Sequence, residues 1–149
     1  MNIRKVISKE SVCVSLKARD KQGIIEELLD LIVRTGKVDD RKAVLKAILE
    51  REKKMSTGMH HGLAIPHGKT DTVDTLLGAV GIVPDGVDFD SQDGEPTRIF
   101  ILTVSPINRS GPHIQFLAEI SRMMNRQDIR NELLAASDED EMYTILTGR

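Results

Sequence analysis

Residues 99–104 read Ile99-Phe100-Ile101-Leu102-Thr103-Val104. β-Branched and aromatic side chains favour extended backbone. The run is apolar on both of its alternating faces, as a central strand covered on each side would be. Ahead of it, residues 77–83 read as an apolar, glycine-containing strand that ends in a turn at Pro84-Asp85-Gly86. Asp93-Gly94 marks a further turn. Behind it, residues 105–112 read as a loop. A helical period then begins at His113, with Ile114, Leu117, Ala118, Ile120, Ser121 and Met124. Two shorter helices follow over residues 128–136 and 138–146, the second capped by Ser137 with a carboxylate three residues on at Asp140.

Further upstream, residues 11–16 alternate apolar and polar, which predicts a half-buried strand. Asp20 caps a helix whose apolar positions are Ile24, Ile25, Leu28, Leu29, Leu31 and Ile32, with Gly36 placed for a left-handed terminus. Asp39 or Asp40 opens a second helix carrying Ala43, Val44, Ala47 and Ile48. The link between them is short, so they form an αα-hairpin. Leu63-Ala64-Ile65 is a short buried strand in a segment interrupted by Gly58, Gly62, Pro66 and Gly68. Strands interleaved with helices predict an α/β layered domain. No repeat, low-complexity tract or linker divides residues 1–149, so a single domain is expected.

A chain of 149 residues suits one domain. It is long enough to bury about two thirds of its unfolded surface, so no disulfide or metal staple is needed. Lys and Arg number 21 against 23 Asp and Glu, a net charge of −2. That balance excludes nucleic-acid binding by bulk charge and a basic membrane-surface role. Cys13 is the one cysteine, which excludes an internal disulfide framework and suits a reducing, cytoplasmic setting. No apolar run approaches the ~18 residues of a membrane span. Met1-Asn2-Ile3-Arg4-Lys5 leads into no apolar core of a signal peptide.

Three of the four histidines, His60, His61 and His67, fall in the glycine-broken segment, and the fourth is His113. Zinc is a poor fit for the three, even with Asp71 or Asp74 added. Adjacent histidines on extended chain point to opposite faces, and no metal-binding spacing is present. Serine hydrolase chemistry lacks its nucleophile elbow. Gly78-Ala79-Val80-Gly81 sits in an apolar run, where glycines serve close packing rather than phosphate binding. A histidine nucleophile fits better. Pro66 stiffens the chain up to His67, Gly68 removes bulk beyond it, and a neutral imidazole is a good nucleophile near neutral pH. The same pattern also suits a turn histidine without a chemical role. Arg51 falls near the apolar stripe at the end of the second helix, where it suits either gripping phosphate or closing the helix end. His113 opens a helix after Gly111-Pro112, a place that attracts anions and equally suits a capping histidine.

The segment Arg51-Glu52-Lys53-Lys54-Met55-Ser56-Thr57-Gly58-Met59-His60-His61-Gly62-Leu63-Ala64-Ile65-Pro66-His67-Gly68 resembles the signature of the fructose/mannitol-type (type 2) enzyme IIA domain of the phosphoenolpyruvate-dependent sugar phosphotransferase system. Gly86-Val87-Asp88-Phe89-Asp90, Asp93-Gly94, the strand at 99–104 and His113-Ile114-Gln115-Phe116-Leu117-Ala118 extend the resemblance along nearly the whole chain.

The resemblance implies a mixed β-sheet with helices on both faces. It implies a phosphocarrier, an enzyme working through a phosphohistidine intermediate for sugar uptake. His67 would be the phosphorylated nucleophile, His113 a stabiliser of the phosphoryl group and Arg51 a phosphate contact. Ser56 and Thr57 would support the site, with Thr57 hydrogen-bonding near His67. The donor would be HPr or its nitrogen-type homologue, and the acceptor a cysteine or histidine of an enzyme IIB partner. Alternatively, the chain is a nitrogen-type regulatory IIA that binds target proteins according to its phosphorylation state. No metal or cofactor is implied, nor nucleic acid or membrane insertion. His60 and His61 stand where the family carries small or apolar residues, and read as surface variation near the partner face.

Overall fold

The structure, a computed structural model, describes residues 2–148, so Met1 and Arg149 lie outside it. After two short 3₁₀ turns, Ile3–Lys5 and Lys9–Ser11, the order is β1 (Val12–Cys13), α1 (Lys21–Val33), α2 (Arg41–Lys54), β2 (Leu63–Ala64) and β3 (His67–Thr70). Then come β4 (Leu77–Val87), β5 (Thr97–Pro106), α3 (Gly111–Met124), α4 (Gln127–Ala135) and α5 (Glu139–Thr147). The sheet is mixed. β1 pairs parallel to β4, β4 antiparallel to β5, and both β2 and β3 parallel to β5. β2 and β3 share one edge of β5, opposite residues 99–100 and 103–106.

β5 is central, and its two faces serve two cores. Phe100, Leu102 and Val104 pack with α1 and α2 through Ile24, Leu28, Val44 and Ile48. Ile99 and Ile101 pack with α3, α4 and α5 through Phe116, Ile120, Leu133, Met142 and Leu146. Thr103, the lone polar residue of the run, is fully buried. Its odd-numbered position places it on the face of α3.

Local chemistry sets the helix starts. The carboxylates of Asp20 and Asp40 accept the N–H of Gly23 at 2.8 Å and of Ala43 at 3.1 Å. All six apolar residues expected to be buried on α1 are buried. Gly81 lies against Leu16, where a Cβ would come within 2.6 Å of Cδ1, and a Cβ at Gly78 would come within 3.0 Å of Val6 Cγ1, so these two glycines of β4 serve packing.

Several elements differ from their sequence expectation, β3 among them, since no strand is predicted over residues 67–70. β1 pairs over two residues only, because Ser11 closes a 3₁₀ turn, although Leu16 N–H still reaches Ile82 O at 2.7 Å. Pro84-Asp85-Gly86 is an irregularity inside β4, where the register with β5 shifts between Ile82 and Val87 and Gly86 has φ +78°. The reversal itself spans 88–96. On α3 the buried residues are His113, Phe116, Ile120 and Met124: Ile120 and Met124 fall where expected, whereas His113 and Phe116 are buried in place of Ile114 and Leu117, and Ile114 is 64% exposed. The cap of α5 is Asp138, which accepts Glu141 N–H at 2.8 Å, while the Ser137 hydroxyl donates to the Glu141 carboxylate at 2.9 Å. A carboxylate caps more strongly at that positive end.

Candidate functional site

Pro66 is buried, and its carbonyl accepts the N–H of Thr103 at 3.1 Å. That bond sets the parallel register in which His67 lies opposite Thr103 and Gly68 opposite Val104. His67 therefore shares the α3 face with Thr103. Its Nδ1 lies 2.9 Å from the carbonyl oxygen of Ile65. A carbonyl only accepts, so the proton of the neutral ring sits on Nδ1 and the lone pair on Nε2.

The chain leaves β5, crosses residues 107–110 and returns as α3. His113 lies in the first turn of that helix and is buried. Its Nε2 is 3.0 Å from the Thr103 hydroxyl. The rings of His67 and His113 stand 5.7 Å apart, centroid to centroid, tilted by 53°. Burial holds the His113 pKa down at about 4, and the positive charges of His67 and Lys69 add to the effect. His113 is thus a neutral imidazole at neutral pH.

Lys69 joins the site without a signal of its own in the sequence. Two positions beyond His67 on a strand, it shares the same face and is exposed. It forms no ion pair among the described residues. Only the period of two from His67 points to it, and that becomes usable once the segment is known to be a strand. The ammonium adds a mobile cation to a site whose two imidazoles are uncharged when deprotonated.

Arg51 lies in the last turn of α2, and its Nη1 donates to Met55 O at 2.8 Å. The guanidinium closes the helix end and forms no hydrogen bond with His67. Thr57 departs from its expected bond. Its hydroxyl donates to Glu52 Oε1 at 2.6 Å, and its carbonyl accepts the N–H of Ile65 at 3.2 Å. The Ser56 hydroxyl donates to Phe89 O at 2.6 Å, which ties this segment to the 88–96 reversal. Gly68 gives room to α2 rather than to an incoming partner. A Cβ there would lie 2.9 Å from both Ile48 Cγ1 and Ile48 N.

His60 stands 3.8 Å from an Asp93 oxygen, and His61 takes φ +64° ahead of Gly62. No group of three or more His, Cys, Asp or Glu among the described residues is arranged to hold a metal. No helix among them is long and apolar enough to cross a membrane. Ile107 and Ile114, 60% and 64% exposed, flank the start of α3 and give apolar surface beside the histidine pair. The arrangement joins an imidazole whose Nδ1 is tied to a carbonyl, a second, neutral imidazole, a helix N-terminus and a lysine without an ion pair among the described residues. Those are the needs of an acceptor for a small, transferable anion.

Residues 5–148 match the family described as the phosphoenolpyruvate-dependent sugar phosphotransferase system, EIIA 2. The chain is 40% identical over 126 residues to the fructose-specific EIIA component of Haloferax volcanii, across 85% of this chain and 82% of that one. It is 34% identical over 146 residues to the fructose-specific EIIABC component of Bacillus subtilis, spanning 98% of this chain but 23% of that longer protein. The crystal structure of the nitrogen regulatory protein IIA-Ntr from Neisseria meningitidis matches with a TM-score of 0.88 at 28% identity, covering 97% of this chain and 99% of that one.

Proposed function

The chain belongs to the EIIA 2 family of the phosphoenolpyruvate-dependent sugar phosphotransferase system, and from that premise we propose that it is a cytoplasmic phosphocarrier acting as one EIIA domain through His67. The lone pair of His67 Nε2 attacks the phosphorus of a phosphohistidine on HPr. The donor P–N bond breaks, and its electron pair returns to the donor ring. The phosphoryl group then passes from His67 to a cysteine or histidine of an enzyme IIB partner by the same displacement. The transition state is loose and places charge on the equatorial oxygens. Positioning and local positive field therefore carry the step.

The observation that carries this reading is the 2.9 Å bond from His67 Nδ1 to Ile65 O, which reserves Nε2 for the phosphoryl group. Around it, neutral His113 takes one phosphoryl oxygen, the α3 N-terminus faces another, and Lys69 supplies charge. Arg51 serves the same group by exchanging its bond to Met55 O for a phosphoryl oxygen. Ile107 and Ile114 offer apolar surface for the carriers.

The likeness to the Neisseria meningitidis IIA-Ntr favours a second reading, in which the phosphorylated and free forms differ in affinity for regulatory target proteins. One assay tests both. The chain is incubated with phosphoenolpyruvate, enzyme I and either sugar-type or nitrogen-type HPr. It takes up one acid-labile phosphoryl group, and His67→Ala takes up none. Faster uptake from sugar-type HPr, with onward transfer to a sugar IIB, supports transport. Faster uptake from the nitrogen-type donor supports regulation. Uptake by His67→Ala would sink the assignment.

A further inference from the structure

Behind the histidine pair lies a buried carboxylate that the transfer step does not use. Glu52 sits in the last turn of α2 and is 6% exposed. Burial disfavours its charge, and so does the negative end of the helix dipole. Three donors offset that cost. Oε1 accepts the Thr57 hydroxyl at 2.6 Å, and Oε2 accepts the Thr57 N–H and the Lys21 Nζ, each at 2.9 Å. Lys21 is itself held over the Phe89 ring, 4.7 Å from its centroid, and lies 3.2 Å from Asp90.

Thr57 is thus gripped through both its backbone and its side chain. Its own carbonyl accepts the Ile65 N–H at 3.2 Å, and the Ile65 carbonyl accepts His67 Nδ1–H at 2.9 Å. The bonds run unbroken from Lys21 through Glu52, Thr57 and Ile65 to the imidazole. Thr57 lies in the connection between α2 and β2 and Ile65 in the link between β2 and β3, beside the bridge from Gly58 to Ala64, and neither residue is itself within a strand.

We propose that Glu52 is a positioning residue for His67: by clamping Thr57 it fixes the Ile65 carbonyl that keeps the ring proton on Nδ1 and the lone pair on Nε2. Glu52 touches neither the phosphoryl group nor the reacting nitrogen. The proposal deepens the phosphocarrier reading, and it rests on His67 being the nucleophile. Its primary readout nevertheless needs no phosphoryl donor.

The test compares wild type with Glu52→Gln and Thr57→Val. Gln keeps the volume but turns one acceptor into a donor against the Thr57 N–H and drops the charge that holds Lys21. Val removes only the 2.6 Å bond. The His67 tautomer is read in the free, full-length protein by two-bond proton–nitrogen correlation, with the ring neutral. Amide spectra report whether each variant is folded.

In the wild type His67 is held as the Nδ1–H form. In folded Glu52→Gln the Nε2–H form appears in quantity, and phosphoryl uptake from phospho-HPr slows about tenfold or more, as misplacement of a reacting group does. Thr57→Val moves both readouts in the same direction by less, and carries the test alone if Glu52→Gln does not fold. An unchanged tautomer in a folded variant overturns the positioning role. If the tautomer shifts while His67→Ala still accepts phosphate, Glu52 keeps its role and the phosphocarrier reading fails instead.

Discussion

The hydroxyl of Thr103 and Nε2 of His113 meet at 3.0 Å inside the sheet, at the only polar position of the apolar run on β5. The bond joins the central strand to the first turn of α3 and orients the second imidazole toward His67. Thr103→Val preserves shape and deletes the partner. A buried group left without its partner costs about 1–3 kcal/mol. The expected result is a lower melting temperature together with phosphoryl uptake slowed about tenfold by a freed His113 ring. Uptake at the wild-type rate would remove Thr103 from the site.

His113 gives the pH dependence its sign. Its pKa is lowered to about 4 in the fold, against about 6.5 in the unfolded chain. Between those values the unfolded state binds the extra proton. Stability from this group is therefore full above pH ~6.5 and declines as pH falls toward ~4. His113→Gln removes that slope, which urea unfolding between pH 4 and 7 measures. A phosphoryl dianion on His67 supplies opposite charge, so the His113 pKa rises on phosphorylation. Ring proton shifts in the two states read the change directly.

Lys69 is exposed and without an ion pair among the described residues, so it is free to turn to a phosphoryl group. Lys69→Gln leaves the melting temperature unchanged and slows uptake about tenfold, the scale expected when one ammonium no longer meets the phosphoryl oxygens in the transition state. Lys69→Arg retains most of the rate. Equal rates in all three would place the charge elsewhere.

Arg51→Ala separates the two roles that its place allows. Loss of a helix-end cation costs about 0.3–1 kcal/mol. If the guanidinium also grips the phosphoryl group, uptake falls far more than that stability loss explains. Parallel melting curves and uptake rates decide it, and proportionate losses would leave Arg51 as a helix cap only.

Gly68 packs directly against α2, where a Cβ would lie 2.9 Å from Ile48. Gly68→Ala forces the helix outward and costs about 1–3 kcal/mol in denaturant unfolding. Wild-type stability would mean that α2 moves aside freely.

The parts legible in the sequence are those that local chemistry sets. Asp20 and Asp40 cap their helices through bonds three residues long, and the stripe of α1 follows from its own period. The both-sided apolarity of residues 99–104 announces a covered central strand. Pro66 and Gly68 draw attention to His67, and the family signature around it extends that to Arg51 and His113. The rest depends on partners far along the chain. Pro84-Asp85-Gly86 has turn composition, yet β5 pairs on past it and makes it an irregularity in a strand. The first turns of α3 depart from the expected stripe, with His113, bonded to Thr103, and Phe116 buried in place of Ile114 and Leu117, while Ile120 and Met124 lie where expected. Thr57 bonds to Glu52 rather than near His67, a pairing that only the fold of residues 52–65 reveals. Lys69 stays hidden until β3 is known to be a strand.

The central claim is that His67 accepts phosphate on Nε2, and phosphorus–nitrogen correlation spectroscopy of the uniformly ¹⁵N-labelled, phosphorylated chain tests it most directly. The expected spectrum has one phosphorus signal coupled to Nε2 of His67, with the proton retained on Nδ1. Phosphorus on Nδ1 of His67, or on any of His60, His61 and His113, would contradict it.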